Sequence, residues 1–168
     1  RFAVMQHLLS GDNISIVVGR QCVSDWRYAL VTKNISESNL TGTAGRFGSG
    51  YAFPLYTYHD EHGTLTRQPN LDMEIVAKFA GKAGLVFEAE KSGNEAMFAP
   101  IDLLDYIYGV LHSPSYRKKF NEFLKVDFPR IPYPKDANEF HRVAEIGGEL
   151  RRVHLMEASL PLVTEFNV

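Results

Sequence analysis

Arg20 and Gln21 close a β-branched run, Ile14 to Gln21 (ISIVVGRQ), and their side chains are the two that can make paired hydrogen bonds to a base edge, arginine to guanine and glutamine to adenine. A strand-end salt bridge would use Arg20 equally well. A second group, Lys33, Ser36, Ser38, Asn39, Thr41, Thr43 and Arg46, fills a polar stretch with donors that suit phosphate and base edges alike. Its plainer reading is a solvated loop. Arg117, Lys118 and Lys119 follow Tyr116 near a helix start, where backbone N–H groups and cations together suit a phosphate. Three bases on an exposed helix face are also ordinary. Arg27 and Lys33 would share one face of a strand if Trp26 to Lys33 alternates, with Trp26 and Tyr28 on the other.

Catalytic chemistry finds less support. Glu88-Ala89-Glu90-Lys91, with Asp72 upstream, imitates the carboxylates and lysine of a metal-dependent nuclease. Asp72 is better placed to cap a helix. Gly81-Lys82 lacks the glycine and hydroxyl spacing of a phosphate loop, and neither Gly-x-Ser-x-Gly nor His-Glu-x-x-His occurs. The six histidines do not recur at ligand spacing, so no metal site is expected. His112 is expected to cap a helix C-terminus, favoured by the helix dipole.

With 168 residues, 45% of them hydrophobic, the chain can bury a sizeable core, and a single domain is expected. A net charge of −2 removes the argument from bulk basicity, so any nucleic-acid contact must be local. Charge is in fact segregated: six Lys or Arg against two acids from His112 to Lys135, but nine acids against four bases from His59 to Asp105. The lone cysteine, Cys22, permits no internal disulfide and fits a reducing cytoplasm, where it would serve as a small buried hydrophobe. No apolar run approaches membrane-spanning length. The start at Arg1 leads us to expect a fragment of a longer protein.

The elements that would position these groups can be read in order. Arg1 to Leu9 reads as an opening strand, Ile14 to Gln21 and Trp26 to Lys33 as the next two, and residues 34–50 as a loop. Tyr51 to Tyr58 returns as an aromatic strand with Pro54 at an edge, and Glu61-His62-Gly63 turns a hairpin towards Leu65. Asp72 and Gly84 bracket a helix with Ile75, Val76, Phe79 and Ala83 on one face, and Leu85 to Ala89 follows as a short strand. Leu103, Leu104, Ile107, Val110 and Leu111 mark a helix ending near His112; Ser113-Pro114 breaks it and caps a basic helix from Ser115 to Lys125. The prolines from Pro129 to Pro134 demand an extended strap. Asp136 opens a last helix to about Met156, striped by Phe140, Val143, Ile146, Leu150 and Val153, with Gly147-Gly148 implying a close approach. Leu160 to Phe166 is strand-like.

DYIYGVLHSPSYRKKFNEFLKVDFPRIPYP, residues 105–134, resembles the C-terminal part of the single-chain, ATP-dependent type ISP restriction-modification enzymes and their adenine-methyltransferase relatives. Gly19-Arg20-Gln21, VTKNISESN (31–39) and Phe53-Pro54-Leu55-Tyr56 resemble the same family in the same order. The resemblance implies a target recognition domain that reads duplex DNA for a methyltransferase in the same parent chain, with no catalytic residue of its own. S-adenosylmethionine, ATP and Mg²⁺ would then belong to that parent, since the aromatic motif that holds the target amine and the glycine-rich cofactor loop are absent here. We therefore expect an α+β domain, a mixed or antiparallel sheet over residues 1–68 and a helical part over 70–156. The DNA-binding residues would be Arg20, Gln21, Arg27, Lys33, Ser36, Ser38, Asn39, Thr43, Arg46, Arg117, Lys118 and Lys119. A protein-docking module and a metal-dependent nuclease are the alternatives.

Overall fold

A computed structural model describes residues 2–22, 26–37 and 50–158. Strands occupy its first part and helices dominate the second, an α+β arrangement. The chain opens with a short helix α1 (Phe2–Met5) and a 3-10 turn (Gln6–Leu8), not the expected strand. Tertiary contacts decide this: Leu8 is buried, and His7 Nδ1 accepts the Tyr58 N–H at 3.1 Å. Buried Asn13 ties the same corner, donating from Nδ2 to the carbonyls of His7 and Tyr56 at 2.9 and 2.8 Å.

β1 (Ser15–Gly19) is the centre of an antiparallel sheet, flanked by β2 (Ala29–Thr32) and β3 (Gly50–Pro54). Ser15 faces Thr32 and Pro54, while Gly19 faces Gly50. Both flanking strands therefore run the same way, antiparallel to β1. β2 begins three residues later than expected. Trp26, ahead of it, is buried while Tyr28 is exposed, so the alternation that would have put both rings on one face does not hold. The aromatic strand is two strands, β3 and β4 (Tyr56–Glu61), divided at buried Leu55, whose N–H donates to Ile14 O at 2.7 Å. Pro54 ends β3 at the sheet edge, where its missing N–H costs no ladder bond. β4 pairs with β5 (Thr64–Pro69) across His62-Gly63, both at positive φ (56° and 84°), as a two-residue hairpin turn requires.

The helices follow their caps. Asp72 Oδ1 accepts the N–H groups of Glu74 and Ile75 to start α2 (Met73–Ala83), and Gly84 closes it at φ 69°. A parallel pair of two-residue strands, β6 (Val86–Phe87) and β7 (Met97–Phe98), leads into α3 (Pro100–His112). Ser113 Oγ accepts the Tyr116 N–H and opens α4 (Pro114–Lys119). The expected basic helix does not continue to Lys125: Phe120 leaves helical geometry at φ −109°, ψ 16°, and α5 (Asn121–Leu124) resumes. Residues 128–134 form the extended strap, held by two buried tyrosines whose hydroxyls donate to its carbonyls, Tyr106 to Pro132 at 3.0 Å and Tyr116 to Arg130 at 2.9 Å. Because prolines remove donors, the strap is anchored through its acceptors.

Asp136 caps α6 (Ala137–His154), which packs along α3. Its buried face is Phe140, Ala144, Gly147 and Gly148, whereas Ile146 of the expected stripe is exposed. Phe140 completes an aromatic core with Phe79, Phe98 and Tyr106, neighbouring ring centroids lying 5.3 to 5.8 Å apart. Among the described residues no helix is long and apolar enough to cross a membrane.

Candidate nucleic-acid interface

Strand register gathers several of the candidate residues at one end of the three-stranded sheet. β1 leaves that end at Gly19, β2 enters it at Ala29 and β3 at Gly50. Arg20 and Gln21, which follow Gly19, and Arg27, two residues ahead of Ala29, therefore lie at the same end of the sheet as Gly50. Ser38, Asn39, Thr41, Thr43 and Arg46 lie outside the described residues.

Beyond Gly19 the chain is zipped to the segment between α5 and the strap by three successive rungs. Arg20 Nε donates to Asp127 Oδ1 at 3.1 Å, Gln21 Nε2 to Val126 O at 3.3 Å, and Cys22 N to Lys125 O at 3.2 Å. Cys22 is half-buried against the core edge. The Arg20 guanidinium lies 5.8 Å from the centroid of the Phe128 ring, which Tyr51 and Phe53 of β3 meet edge-on at 5.0 and 5.7 Å. Hydrogen bonds from the Phe128 N–H and from Arg20 hold the Asp127 carboxyl below the usual carboxylate range. Arg130, stacked on Phe123 at 5.0 Å, adds a second guanidinium to this side.

α4 stands near the same end, through contacts of α3 and α4 with Trp26 and Ala29, but its three cations do different things. Arg117 points inward: Nε donates to Leu111 O at 2.6 Å, Nη2 lies 3.3 Å from His112 Nδ1, and the guanidinium covers the Trp26 ring at 5.5 Å. It caps the Leu111 carbonyl in the last turn of α3, the role expected of His112. Lys118 and Lys119 are exposed.

His112 is no dipole-stabilised cation. Its Nε2 lies 3.1 Å from Ala29 O, which fixes the proton on that nitrogen, and burial with Arg117 nearby pushes its pKa down to about 4 from 6.5. The unfolded chain takes up a proton as pH falls through 6.5, the folded chain only near 4. This contribution to stability is thus complete above 6.5 and lost on acidification between those values. Urea unfolding at pH 7 and pH 5 should show it, the loss at pH 5 exceeding that of His112→Gln by on the order of 1 kcal/mol after discounting for the partial exposure of the ring.

The remaining candidates lie elsewhere. Lys33 follows β2 at the opposite end of the sheet and pairs with Glu157 at 2.6 Å; Ser36 is half-buried just beyond it. Of the nuclease candidates, Asp72 is the α2 cap, Glu88 accepts the backbone and hydroxyl of Ser92, Glu90 pairs with Arg67 and Lys91 with Asp102. Among the described residues no three His, Cys, Asp or Glu side chains converge as metal ligands. Asp127 and Phe128 were not among the candidates. They lie 107 and 108 positions from Arg20, and no periodicity connects them.

Residues 1–167 match the family model of the Type ISP C-terminal specificity domain. No curated protein matches the chain. Among solved structures it is similar to a nuclease-deletion mutant of the Type ISP restriction-modification enzyme LlaGI in complex with a DNA substrate mimic, with 26% identity, a TM-score of 0.61, and 92% of this chain and 11% of that one covered. A DrdV–DNA complex is similar at 25% identity and TM-score 0.67, over 90% of this chain and 13% of that one. The fold is shared as well by the ATP-dependent Type ISP restriction-modification enzyme LlaBIII bound to DNA, at 22% identity and TM-score 0.68 over 92% of this chain and 9% of that one. The chain thus spans about a tenth of the length of these proteins.

Proposed function

The chain belongs to the Type ISP C-terminal specificity domain family, and from that premise we propose that it reads the sequence of duplex DNA for a larger restriction-modification enzyme that methylates adenine. The observation that supports this most is the convergence of Arg20, Gln21 and Arg27 at the sheet end that the stretch holding Ser38, Asn39, Thr43 and Arg46 rejoins at Gly50. Base edges would be read there, while Lys118 and Lys119 on α4 hold phosphate and fix the register. Arg117 contributes by fixing α4, and Lys33 and Ser36 reach DNA only through a second contact. We treat residues 1–168 as one domain, its sheet part reading and its helical part holding.

Methyl transfer, ATP use and any Mg²⁺ chemistry belong in this reading to other parts of a cytoplasmic parent chain; the domain contributes specificity and no catalytic group. Its test is selection from a randomised duplex pool across a salt series, with the chain alone and with the enzyme that contains it. We expect a short enriched motif and an affinity that falls with salt. Retention of no motif by either sample would reject DNA reading.

Docking against protein is a second reading, favoured by an apolar groove of about 410 Å³ between β3, α3 and the strap, lined in part by Phe53, Leu71, Ile107 and Ile131. Phe53 is 47% exposed at its rim. A salt-insensitive association that survives Arg20→Ala and is lost in Ile107→Asp would select this reading over the first.

A further inference from the structure

We infer that Arg20 reads a guanine in the major groove and that Asp127 is the residue that positions it for that base, an assignment that rests on the DNA-reading role proposed above. The geometry around the guanidinium carries it. Nε is engaged by Asp127 Oδ1 at 3.1 Å, that same oxygen is fixed by the Phe128 N–H at 2.9 Å, and the guanidinium carbon lies over the Phe128 ring, 5.8 Å from its centroid. The rungs from Gln21 and Cys22 lock the two backbone segments side by side. Held at its Nε edge, the side chain presents its two terminal amino groups as a parallel pair of donors. The arginine side chain is 56% exposed, which leaves room for a base edge to approach that fork.

Two features select base over phosphate and guanine over other bases. An arginine already paired with a carboxylate has much of its charge neutralised and makes a weak phosphate clamp, yet its hydrogen-bonding fork is intact. In the major groove guanine alone offers two adjacent acceptors, O6 and N7; adenine pairs an acceptor with a donor, thymine an acceptor with a methyl group, and cytosine a donor. Lysine could not replace arginine here, because it has neither the Nε to anchor nor the planar fork. Asp127 acts through Arg20 and is a positioning residue.

The experiment compares, in the enzyme that contains this domain, the base-by-base selection profiles of wild type, Arg20→Ala, Arg20→Lys, Asp127→Asn and Asp127→Glu, with thermal unfolding to verify that each variant is folded. Both Arg20 variants should lose preference for guanine at one position by roughly 5- to 150-fold, the equivalent of about 1–3 kcal/mol. Asp127→Asn should show a smaller loss at that same position with the salt slope unchanged, and Asp127→Glu should restore part of it. Uniform weakening at every position together with a shallower salt slope in Arg20→Ala would make Arg20 a phosphate contact and overturn the assignment. So would an Asp127→Asn profile identical to wild type. Exchanging the whole domain for that of a relative separates the premise from the inference: an unchanged site after the exchange removes the DNA-reading role itself, whereas a changed site with an indifferent Arg20→Ala removes only this residue.

Discussion

Gly147→Ala lowers the stability of the chain by about 2–4 kcal/mol, seen as a lower urea midpoint at unchanged slope. A Cβ on Gly147 would stand 1.9 Å from Asp105 O and 2.8 Å from Gly109 N, so the obstacle is the α3 backbone, which no rotamer change can clear. Gly109 answers it from the other side, its own added Cβ falling 2.6 Å from Val143 O. The two helices meet backbone to backbone, and one methyl group forces them apart along their whole contact. Alanine's better helix propensity returns roughly 1 kcal/mol, too little to offset that separation. Gly81→Ala supplies the control. It lies inside α2 with nothing within 4 Å of an added Cβ, and should gain about 0.4–1 kcal/mol. If both substitutions shift the midpoint in the same direction, the packing argument is wrong.

The same helix shows which parts of the structure are written locally. Asp72, Ser113-Pro114 and Asp136 announce their helices because a cap is satisfied by N–H groups two or three residues away, and His62-Gly63 announces its hairpin because two left-handed residues suffice. The close approach at Gly147-Gly148 is legible too, since glycine in a helix interior has a cost that packing must repay. The face that packing buries is less legible. Val143, Ile146, Leu150 and Val153 make the more apolar stripe, but α3 can come nearest where there are no side chains, so α6 turns its small residues inward and leaves Ile146 57% exposed. The opening α1 segment is settled by tertiary contacts that no short window contains, among them the Tyr58 N–H on His7. The candidate site divides in the same way. The hydrogen-bonding chemistry of Arg20 and Gln21 is a property of their side chains and is readable. That Asp127 engages one and Val126 the other, while Arg117 turns inward onto Trp26, depends on contacts between residues some 90 to 107 positions apart.

Asp105→Ala costs about 3 kcal/mol, and Asp105→Leu combined with Arg151→Met recovers most of it. In the native chain Arg151 clasps Asp105 with both arms, Nε to Oδ1 at 2.6 Å and Nη2 to Oδ2 at 3.1 Å, where the two side chains are only 14% and 9% exposed. Burial lifts the Asp105 carboxyl above its usual range against the opposing pull of Arg151, so keeping the pair ionised in this place has a large solvation cost of its own. The pair as a whole then contributes little net stability, but removing one partner strands a charge, which costs roughly 3–5 kcal/mol. The lower figure applies because Glu157 Oε2, 3.9 Å from Arg151 Nη1, can take up part of the exposed guanidinium. Gly148 belongs to the same arrangement, since an added Cβ there would fall 2.7 Å from Asp105 Oδ2, and the smaller side chain of Asp105→Ala relieves that contact. Gly148→Ala should therefore be markedly less damaging in the Asp105→Ala background than alone, a coupling of at least about 1 kcal/mol in a double-mutant cycle. Additive losses would show that the glycine makes room for the helix and not for the ion pair.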